Sequence, residues 1–162
     1  MNRKRMQGVY VVEFAVIGLL LFTLLFGVLE MGRLYFTANA LNEVVRRGAR
    51  LAAVCDINQP RILQRAIFNA ADNSGASSLI ANLDPADLSL TYLDQNGAVV
   101  SNPGDLTGAN GFRAIRYVQL QVRNFAFDLL IPGLGQAITL PVFTSIMPRE
   151  SLGRSVEGDT EC

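Results

Sequence analysis

A single carboxylate, Glu13, lies inside the apolar N-terminal segment of this 162-residue chain. It is the only charged residue between Val9 and Leu29, and it stands five residues after Gly8. A carboxylate within a membrane-spanning helix costs a few kcal/mol on insertion scales, so it is seldom kept without a partner or a function. The alternative is that Glu13 has no specific function and that its side chain extends to the nearby cytoplasmic interface, where water solvates the charge. Glu13 is therefore the first candidate functional residue, because within lipid its carboxylate would pair with a positively charged group.

Basic residues flank the apolar segment on one side. Arg3, Lys4 and Arg5 precede it, whereas the next basic cluster on the far side begins at Arg46. This asymmetry predicts a cytoplasmic N-terminus and an exported remainder. The segment 9–29 has about the twenty residues with which a helix spans a bilayer.

The chain has two cysteines, Cys55 and Cys162, which are the next candidate functional residues. In an exported domain they are placed to form a disulfide, and closing a loop of about 100 residues contributes roughly 4.7 kcal/mol in the chain-entropy model. The alternatives are two separate thiols, or a bond from Cys162 to another chain.

Composition argues against several function classes. The chain has no His and no Trp, and it has 14 basic and 14 acidic residues. Without His it lacks the usual general base and the commonest metal ligand. Loss of the basic head, which contains Arg3, Lys4 and Arg5, would leave a mildly acidic protein. This argues against nucleic acid as a partner. The sequence thus predicts no enzyme, no cofactor and no metal site.

An amphipathic stripe continues beyond the apolar segment. Its members recur at alternating steps of four and three residues: Leu34, Ala38, Leu41, Val45, Gly48 and Ala52. Charged residues are spaced for pairing on the helix surface, Glu30 with Arg33, and Glu43 with Arg46 and Arg47. No proline precedes Pro60. The pattern predicts one helix from about Val9 to Val54, near 70 Å long at about 1.5 Å per residue.

A cleavable signal peptide is the competing interpretation of the N-terminus. Ala38-Asn39-Ala40 matches the small-residue pattern of a cleavage site. However, Glu30 and Arg33 separate it from the apolar run, whereas signal cleavage follows closely behind a shorter apolar region. A retained helix is therefore favoured.

The N-terminus resembles that of type IV pilin-class proteins, with a basic leader ending in Gly8, an apolar helix, and Glu13 as the fifth residue of the mature chain. Four segments more narrowly resemble the TadE-like minor pilins of the tight-adherence (Flp) pilus machinery: Val12-Glu13-Phe14-Ala15, Leu29-Glu30-Met31-Gly32-Arg33, Arg46-Arg47-Gly48-Ala49-Arg50 and Met147-Pro148-Arg149-Glu150. The major pilins of this machinery are shorter and have Tyr where this chain has Phe14, so a minor pilin is favoured. TadF-like paralogues and secretion-system pseudopilins share the same layout.

The resemblance implies a processing site between Gly8 and Val9, cut by a membrane-embedded aspartic prepilin peptidase. It implies that Glu13 then pairs with the N-terminal amine of a neighbouring subunit. The implied function is that of a minor pilin or pseudopilin in the initiation or assembly of a tight-adherence pilus. The implied location is the inner membrane, single-pass with an exported C-terminal domain, and the pilus at the cell surface. The implied partners are the prepilin peptidase, other pilins and minor pilins, the inner-membrane assembly platform and the lipid bilayer.

The remainder of the chain predicts short helices followed by strands. Asn58-Gln59-Pro60 predicts the start of a helix whose apolar stripe runs to Ala71, and a second helical piece is predicted from Ala76 to Asn82. From Leu88 onward the side chains follow a period of two residues, which is typical of strands. The predicted strands are Leu88–Leu93, its return Ala98–Val100 after an Asn-Gly turn, Arg113–Arg123 with Val118, Leu120 and Val122 on one face, and Ala137–Ile146, which Pro141 places at a sheet edge.

Five further patterns are assigned structural roles. Asp94–Gly97 lacks the ligands of a calcium loop and predicts a turn. Pro132–Gly135 lacks the Lys-Ser/Thr of a phosphate loop, and Asp84 with Asp87 predicts a solvated loop. The arginines 46, 47 and 50 predict a solvated helix face, with lipid headgroups or a partner as alternatives. The apolar connection Phe125–Ile131 predicts core, with a docking patch as the alternative.

These elements predict an α+β, pilin-like fold, in which a long N-terminal helix packs on a small antiparallel sheet. The predicted divisions are a leader 1–8, the helix 9–54 with its membrane span 9–29 and amphipathic half 30–54, a domain 55–150, and a polar, mobile tail 151–162. The alternative function is a signal-anchored extracytoplasmic binding or adhesion domain that does not polymerise.

Overall fold

A computed structural model describes residues 3–57, 59–70, 73–130, 137–155 and 158–159. The largest element is helix α1, Arg3–Val54, which runs for 52 residues without a break. At about 1.5 Å per residue it is roughly 78 Å long. The predicted helix ends where expected, and it begins earlier than expected, within the basic head.

The remaining elements form a small α+β domain on the second half of α1, which confirms the predicted fold class. They are α2 Pro60–Ala66, β1 Leu88–Leu93, β2 Tyr117–Val122, β3 Ala126–Asp128, β4 Ala137–Thr139, β5 Phe143–Pro148, β6 Arg154–Ser155 and β7 Gly158–Asp159, with short 3-10 turns at Pro85–Asp87 and Phe112–Ala114. The main sheet has the antiparallel order β1-β2-β5, and β3-β4 and β6-β7 form separate two-stranded pairs.

Helix α1 covers one face of the main sheet. Along β2, the predicted inward residues Val118, Leu120 and Val122 are fully buried, while Tyr117 is exposed. The helix stripe meets this face through fully buried side chains such as Leu41. Alternation along β2 therefore places the apolar side chains under the helix and leaves the polar face to solvent.

Helix α2 is shorter than its apolar stripe predicts. It is capped by Gln59, whereas the predicted cap Asn58 lies outside the described residues. It ends at Ala66 because Phe68 takes a left-handed φ of 67°. The backbone N–H groups of Phe68 and Asn69 then return to helix carbonyls at 3.3 and 3.1 Å, as in a Schellman ending.

The helical piece predicted over 76–82 was wrong. This segment is a series of bends and turns. The buried Asn69 amide donates to the carbonyls of Gly75 and Ala76, and the Ser77 hydroxyl accepts from the N–H of Ile80 at 3.2 Å. Local side-chain hydrogen bonds of this kind satisfy the backbone in place of helix.

The first strand and its turn follow the prediction. Gly97 has a φ of 79°, and its N–H donates to the Asp94 carbonyl at 3.1 Å. The predicted return strand is reduced to one bridge between Leu93 and Val99. The next strand, predicted to start at Arg113, starts at Tyr117 because a 3-10 turn occupies 112–114.

An acidic side chain organises the loop between β1 and β2. The Asp105 carboxylate accepts hydrogen bonds from the backbone N–H groups of Gly108 and Thr107 and from the Thr107 hydroxyl. These donors favour the charged form, with the Gly108 N–H contributing most, and hold the pKa of Asp105 below its usual range.

The last predicted strand is divided in two. Its first part, β4, pairs with β3, and its second part, β5, is an edge strand of the main sheet, so Pro141 lies at a break and β5 at an edge, as predicted. The connection predicted as Phe125–Ile131 contains β3. Ile131 and Pro132–Gly135 lie outside the described residues.

The C-terminal segment is held against the end of α1 at the point where the sequence predicts a polar tail. Leu152 is fully buried, and its N–H donates to the Ala53 carbonyl at 3.2 Å. The N–H of Gly153, at a φ of 74°, donates to the Val54 carbonyl at 2.6 Å. An isolated leucine in a polar sequence has no periodicity, so this contact was not predicted.

Candidate functional site

The residues of the predicted cut lie on an accessible part of α1. Gly8 and Val9 are both exposed, and no atom lies within 4 Å of a Cβ built on Gly8. The fold of this chain therefore places no steric demand for glycine at position 8. A requirement for glycine there would come from another molecule.

Glu13 lies one helical turn beyond Val9, about 6 Å along the axis. Its side chain is exposed, and it forms no ion pair with any described side chain. The residues around it are apolar. Within a bilayer or a helix bundle, this carboxylate would lack a compensating charge unless another chain supplied one.

The apolar part of α1 has no cover within the molecule. The helix from Gly8 onward is long and apolar enough to cross a membrane, and none of its most apolar window is buried. Phe14, for example, is 79% exposed. Because burying a large apolar side chain contributes about 1.5–3 kcal/mol, lipid or neighbouring helices must cover this surface. The chain thus has one N-terminal helix compatible with a single-pass anchor.

Glu30 marks the point at which the domain begins to cover the helix. It is 8% exposed, and its Oε1 accepts a hydrogen bond from Arg33 Nη1 at 2.7 Å, which confirms the predicted pair. The backbone N–H of Leu130 approaches the same oxygen at 3.4 Å. Arg33 also stacks over the Phe127 ring at 5.0 Å. The hairpin β3–β4 is thereby attached to the first turn of α1 that follows the apolar segment.

The second half of α1 packs closely on the domain at Gly48. A Cβ added there would overlap the Leu120 side chain and lie 2.8 Å from the Ala66 Cβ. Gly32, on the same helix, has nothing within 4 Å of such a Cβ. Gly48 therefore allows α1, α2 and β2 to meet, whereas Gly32 has no such role within this chain.

Three arginines line one open surface of α1. Arg46, Arg47 and Arg50 are exposed, and with Met147 they border a groove of about 360 Å³. Arg47 stacks over the Phe68 ring at 5.3 Å. The predicted pairing with Glu43 was wrong, because no ion pair joins it to Arg46 or Arg47.

The height of this basic surface argues against lipid headgroups. Arg46 lies seventeen residues beyond Leu29, which is about 25 Å along the helix axis. The headgroup layer extends only about 5–8 Å beyond the hydrocarbon on each side. For a helix along the membrane normal, the arginines face solvent or another protein.

The aromatic connection is mainly core, as predicted. Phe125 and Phe127 are 5% and 4% exposed, and Leu129 is partly buried against the same core. Leu130 is the exception, with 68% exposure.

Arg149 has a role that the sequence did not reveal. Its Nη1 donates to the carbonyls of Phe112 and Ile115 at 3.0 and 3.2 Å, and its guanidinium stacks over the Phe112 ring at 5.3 Å. It joins the end of β5 to the turn before β2. A single arginine after a proline has no periodic signal, so only the resemblance pointed to this position.

Cys55 is disulfide-bonded, and it lies buried at the end of α1. Its predicted partner Cys162 lies outside the described residues, so the bridge between these two residues stays a prediction. Asp84 and Asp87 belong to a turn, where the Asp87 carboxylate accepts from the Asp84 N–H at 2.8 Å. Within the described ranges, no three His, Cys, Asp or Glu side chains gather in a way that would hold a metal ion.

Comparison with known families identifies the N-terminal region. Residues 8–50 match the family model of TadE-like proteins, which confirms the resemblance seen in the sequence motifs. The match begins at Gly8 and includes Glu13, Glu30 and the three arginines of the groove. The search of curated proteins and the search of solved structures each found no match.

Proposed function

We propose that this chain, whose N-terminal region is TadE-like, is a minor pilin or pseudopilin of a tight-adherence (Flp) pilus. In this proposal it acts in pilus initiation or assembly. The observation that carries it is the coincidence of the family match, residues 8–50, with one unbroken helix that is uncovered before Glu30 and covered by a domain after it. An ordinary anchor needs only the first half of such a helix.

The proposed location is the inner membrane, with the basic head in the cytoplasm and the domain exported. Segment 9–29 of α1 would span the bilayer until the subunit is extracted into the pilus. At about 1.5 Å per residue this segment is close to the 30 Å thickness of the hydrocarbon. The Glu30–Arg33 pair would then lie at the outer interface.

Proteolysis would create the charge that Glu13 lacks. A prepilin peptidase would hydrolyse the peptide bond between Gly8 and Val9 and leave a new amine on Val9. When subunits stack, the amine of one would pair with the Glu13 carboxylate of its neighbour. A charge is stable in a low-dielectric layer only when it is paired with an opposite charge. Neighbouring helices would therefore align at the height where the amine meets Glu13, and this contact would set their axial register.

The proposed function is structural. The chain would be a substrate of the prepilin peptidase and a binding partner of other pilins and of the inner-membrane assembly platform. The TadE-like family is structural rather than catalytic, which supports this role. The groove bordered by Arg46, Arg47 and Arg50, which Glu43 also lines, is a candidate surface for such a partner.

Substitution of Gly8 tests the proposed cut. Because a Cβ at this position meets no atom of the chain, Gly8→Ala should leave the fold unchanged. Expressed with the peptidase in membranes, this variant should keep its basic head and migrate as the longer, unprocessed chain. Gly32→Ala, which is equally free of steric contact, is the matched control and should be processed normally. Normal maturation of Gly8→Ala would remove the cut from between Gly8 and Val9.

A signal-anchored adhesion or binding domain is the second candidate. It is favoured by one observation, that every buried side chain among the described residues from Gly8 onward lies at Glu30 or later in the chain. The domain therefore needs nothing from the apolar segment for its core. The two candidates differ in mature mass, because the anchored domain keeps Arg3, Lys4 and Arg5, whereas the pilin begins at Val9.

A further inference from the structure

Two guanidinium groups meet at one backbone oxygen beside the start of β2. Arg116 Nη1 and Arg149 Nη1 each donate to the Ile115 carbonyl at 3.2 Å, so the two nitrogens lie no more than twice that distance apart. Arg149 Nη1 also donates to the Phe112 carbonyl at 3.0 Å. Arg116 Nη1 likewise donates to the Arg113 carbonyl at 3.0 Å. The turn before β2 therefore holds two positive charges close together.

The Phe112 ring and the domain core support this pair of arginines. The Arg149 guanidinium lies over the ring at 5.3 Å, and a further guanidinium, that of Arg154, lies over the same ring at 5.7 Å. Ile115, which provides the shared carbonyl, is fully buried, and Phe112 packs against the same core cluster. Because the fold already orients these groups, a ligand that binds them has a smaller ordering cost to overcome.

No carboxylate among the described residues neutralises the pair. Neither Arg116 nor Arg149 forms an ion pair with a described side chain, although Glu150 directly follows Arg149 in the sequence. The carboxylate of Asp105, in the loop that leads to β2, accepts its hydrogen bonds from its own loop. Like charges held at this distance repel each other, so an anion bound between them would stabilise the arrangement.

Both side chains have donors that the fold does not use. A guanidinium donates through Nε, Nη1 and Nη2, and the hydrogen bonds of Arg116 and Arg149 to described residues all use Nη1. Nε and Nη2 are the kind of paired donors that bind carboxylate and phosphate oxygens in a bidentate manner. Arg116 is exposed, so a solute can reach the pair.

We propose that Arg116 and Arg149 form a binding site for a phosphate group. A phosphate carries up to about two negative charges at neutral pH, which the two guanidinium groups balance, and its oxygens accept several charge-assisted hydrogen bonds. A carboxylate would balance only one of the two positive charges. The pair thus fits a phosphate better than any other common biological anion of one charge.

The place of the pair in the fold indicates where the phosphate would come from. Phe112 and Ile115 pack in one cluster with Ala53, which is about 35 Å along α1 from Leu29. In the anchored orientation proposed above, the pair lies far from the bilayer, so the ligand is a phosphate of the exported space, either free or esterified to a sugar. Only this direction rests on the proposed function. The binding itself does not depend on processing at Gly8.

Isothermal titration calorimetry of the full chain in non-ionic detergent tests the site. Inorganic phosphate is the probe, and sodium chloride keeps the ionic strength constant. We expect saturable binding with one phosphate per chain. Arg116→Gln should raise the dissociation constant at least about tenfold, because it removes charge-assisted hydrogen bonds to the anion. Arg149→Lys keeps the positive charge but lacks the planar paired donors, so it should raise the constant several-fold.

Arg123→Gln is the matched control. Arg116 and Arg123 flank β2 at its opposite ends, and both are exposed. The Arg123 guanidinium hydrogen-bonds to Gln121. This variant should bind phosphate as the natural chain does. Arg50→Gln is a second control, because Arg50 belongs to the separate arginine groove on α1, and its dissociation constant should also be unchanged.

Titration with glucose 6-phosphate distinguishes the two sources of phosphate. Tighter binding than that of inorganic phosphate indicates a phosphorylated saccharide, and weaker binding indicates free phosphate; both results retain the site. The proposal is overturned if neither compound binds saturably at constant ionic strength. It is also overturned if Arg116→Gln and Arg149→Lys, both folded by circular dichroism, bind phosphate as tightly as the natural chain. Loss of binding in Arg50→Gln alone would place the site in the groove on α1 and would equally contradict the proposal.

Discussion

One carboxylate, Glu13, lies within the apolar segment and another, Glu30, directly follows it, and the fold provides a charged partner for Glu30 alone among the described side chains. Glu30 is buried, paired with Arg33 at 2.7 Å and approached by the Leu130 N–H. Glu13 is exposed on an apolar helix and forms no ion pair with any described side chain. The acid that the molecule satisfies internally belongs to the fold, and the other is available for a contact between chains.

Substitution of Glu13 separates assembly from membrane insertion. Glu13→Ala removes a charge from the span, so insertion and processing should be retained, whereas incorporation into pili or the assembly complex should fall. Breaking a buried pair by removing one partner costs about 3–5 kcal/mol, so incorporation should fall at least tenfold. Immunoblots of sheared pili and of membranes measure the two fractions.

The control for Glu13 is Glu43, an exposed carboxylate on the second, amphipathic half of the same helix. Glu43→Ala should leave incorporation near the natural level. Wild-type incorporation of Glu13→Ala would remove this carboxylate from the assembly mechanism.

Gly48 provides a test of the packing between α1 and the domain. Gly48→Ala forces a methyl group into the space of Leu120 and Ala66, so it should lower the free energy of unfolding by about 1–3 kcal/mol. Gly32→Ala, with open space at its Cβ, should be neutral or stabilising by up to about 1 kcal/mol from helix propensity. Urea unfolding followed by circular dichroism compares the two variants. Equal effects would contradict the close approach at Gly48.

At the scale of elements, the long helix has two parts with different requirements. From Gly8 onward, every buried side chain among the described residues lies at Glu30 or later. The part before Glu30 contributes a surface for lipid or other helices, and the part after it contributes the stripe that closes the domain core. The two parts share only the continuity of the backbone.

A chain that starts at Glu30 should therefore fold alone. It keeps the fully buried helix residues Leu41, Val44 and Ala49 and all of the described strands, so we expect a soluble protein with one cooperative thermal transition. Differential scanning calorimetry makes the measurement. A chain that precipitates or melts without a transition would show that the apolar segment supports the domain.

The elements that the sequence predicts correctly are those in which the periodicity of apolar residues agrees with the residues that are buried in the fold. The end of α1 at Val54, the inward face of β2 and the turn at Gly97 are of this kind. Each is specified by local pattern, and the tertiary structure uses the same pattern.

The errors occur where a single side chain overrides the local pattern. Asn69 holds the 73–83 region in turns although its sequence allows a helix, and Phe68 ends α2 in a left-handed conformation that favours glycine. Leu152 and Arg149 form contacts with distant segments. Such contacts depend on residues remote in sequence, so periodicity cannot reveal them.

The candidate site divides in the same way. Gly8, Val9 and Glu13 could be proposed from sequence because their spacing and the apolar context are local features. The junction of Glu30 with the β3–β4 hairpin could not, because it joins residues 100 positions apart. The exposure of Leu130 was also unexpected, since the sequence predicts core for the whole apolar connection that contains it.

At the scale of the whole molecule, the proposed pairing explains why the chain has so long a helix. A contact between the amine of one subunit and Glu13 of the next is heterologous, and heterologous contacts that do not close generate filaments. The exported half of α1 would keep each domain at a fixed height above that contact. The apolar half would then exchange lipid for neighbouring helices on extraction.

In the proposed function, proteolysis creates the positive charge that pairs with Glu13, so the N-terminus of the native protein is the property to measure. The measurement is intact mass together with N-terminal sequencing of the chain extracted from membranes of cells that hold the peptidase. We expect a chain that begins at Val9 and lacks Arg3, Lys4 and Arg5. A native chain that still carries these three residues would refute the proposal, because Val9 would then have no free amine to pair with Glu13 of a neighbouring subunit.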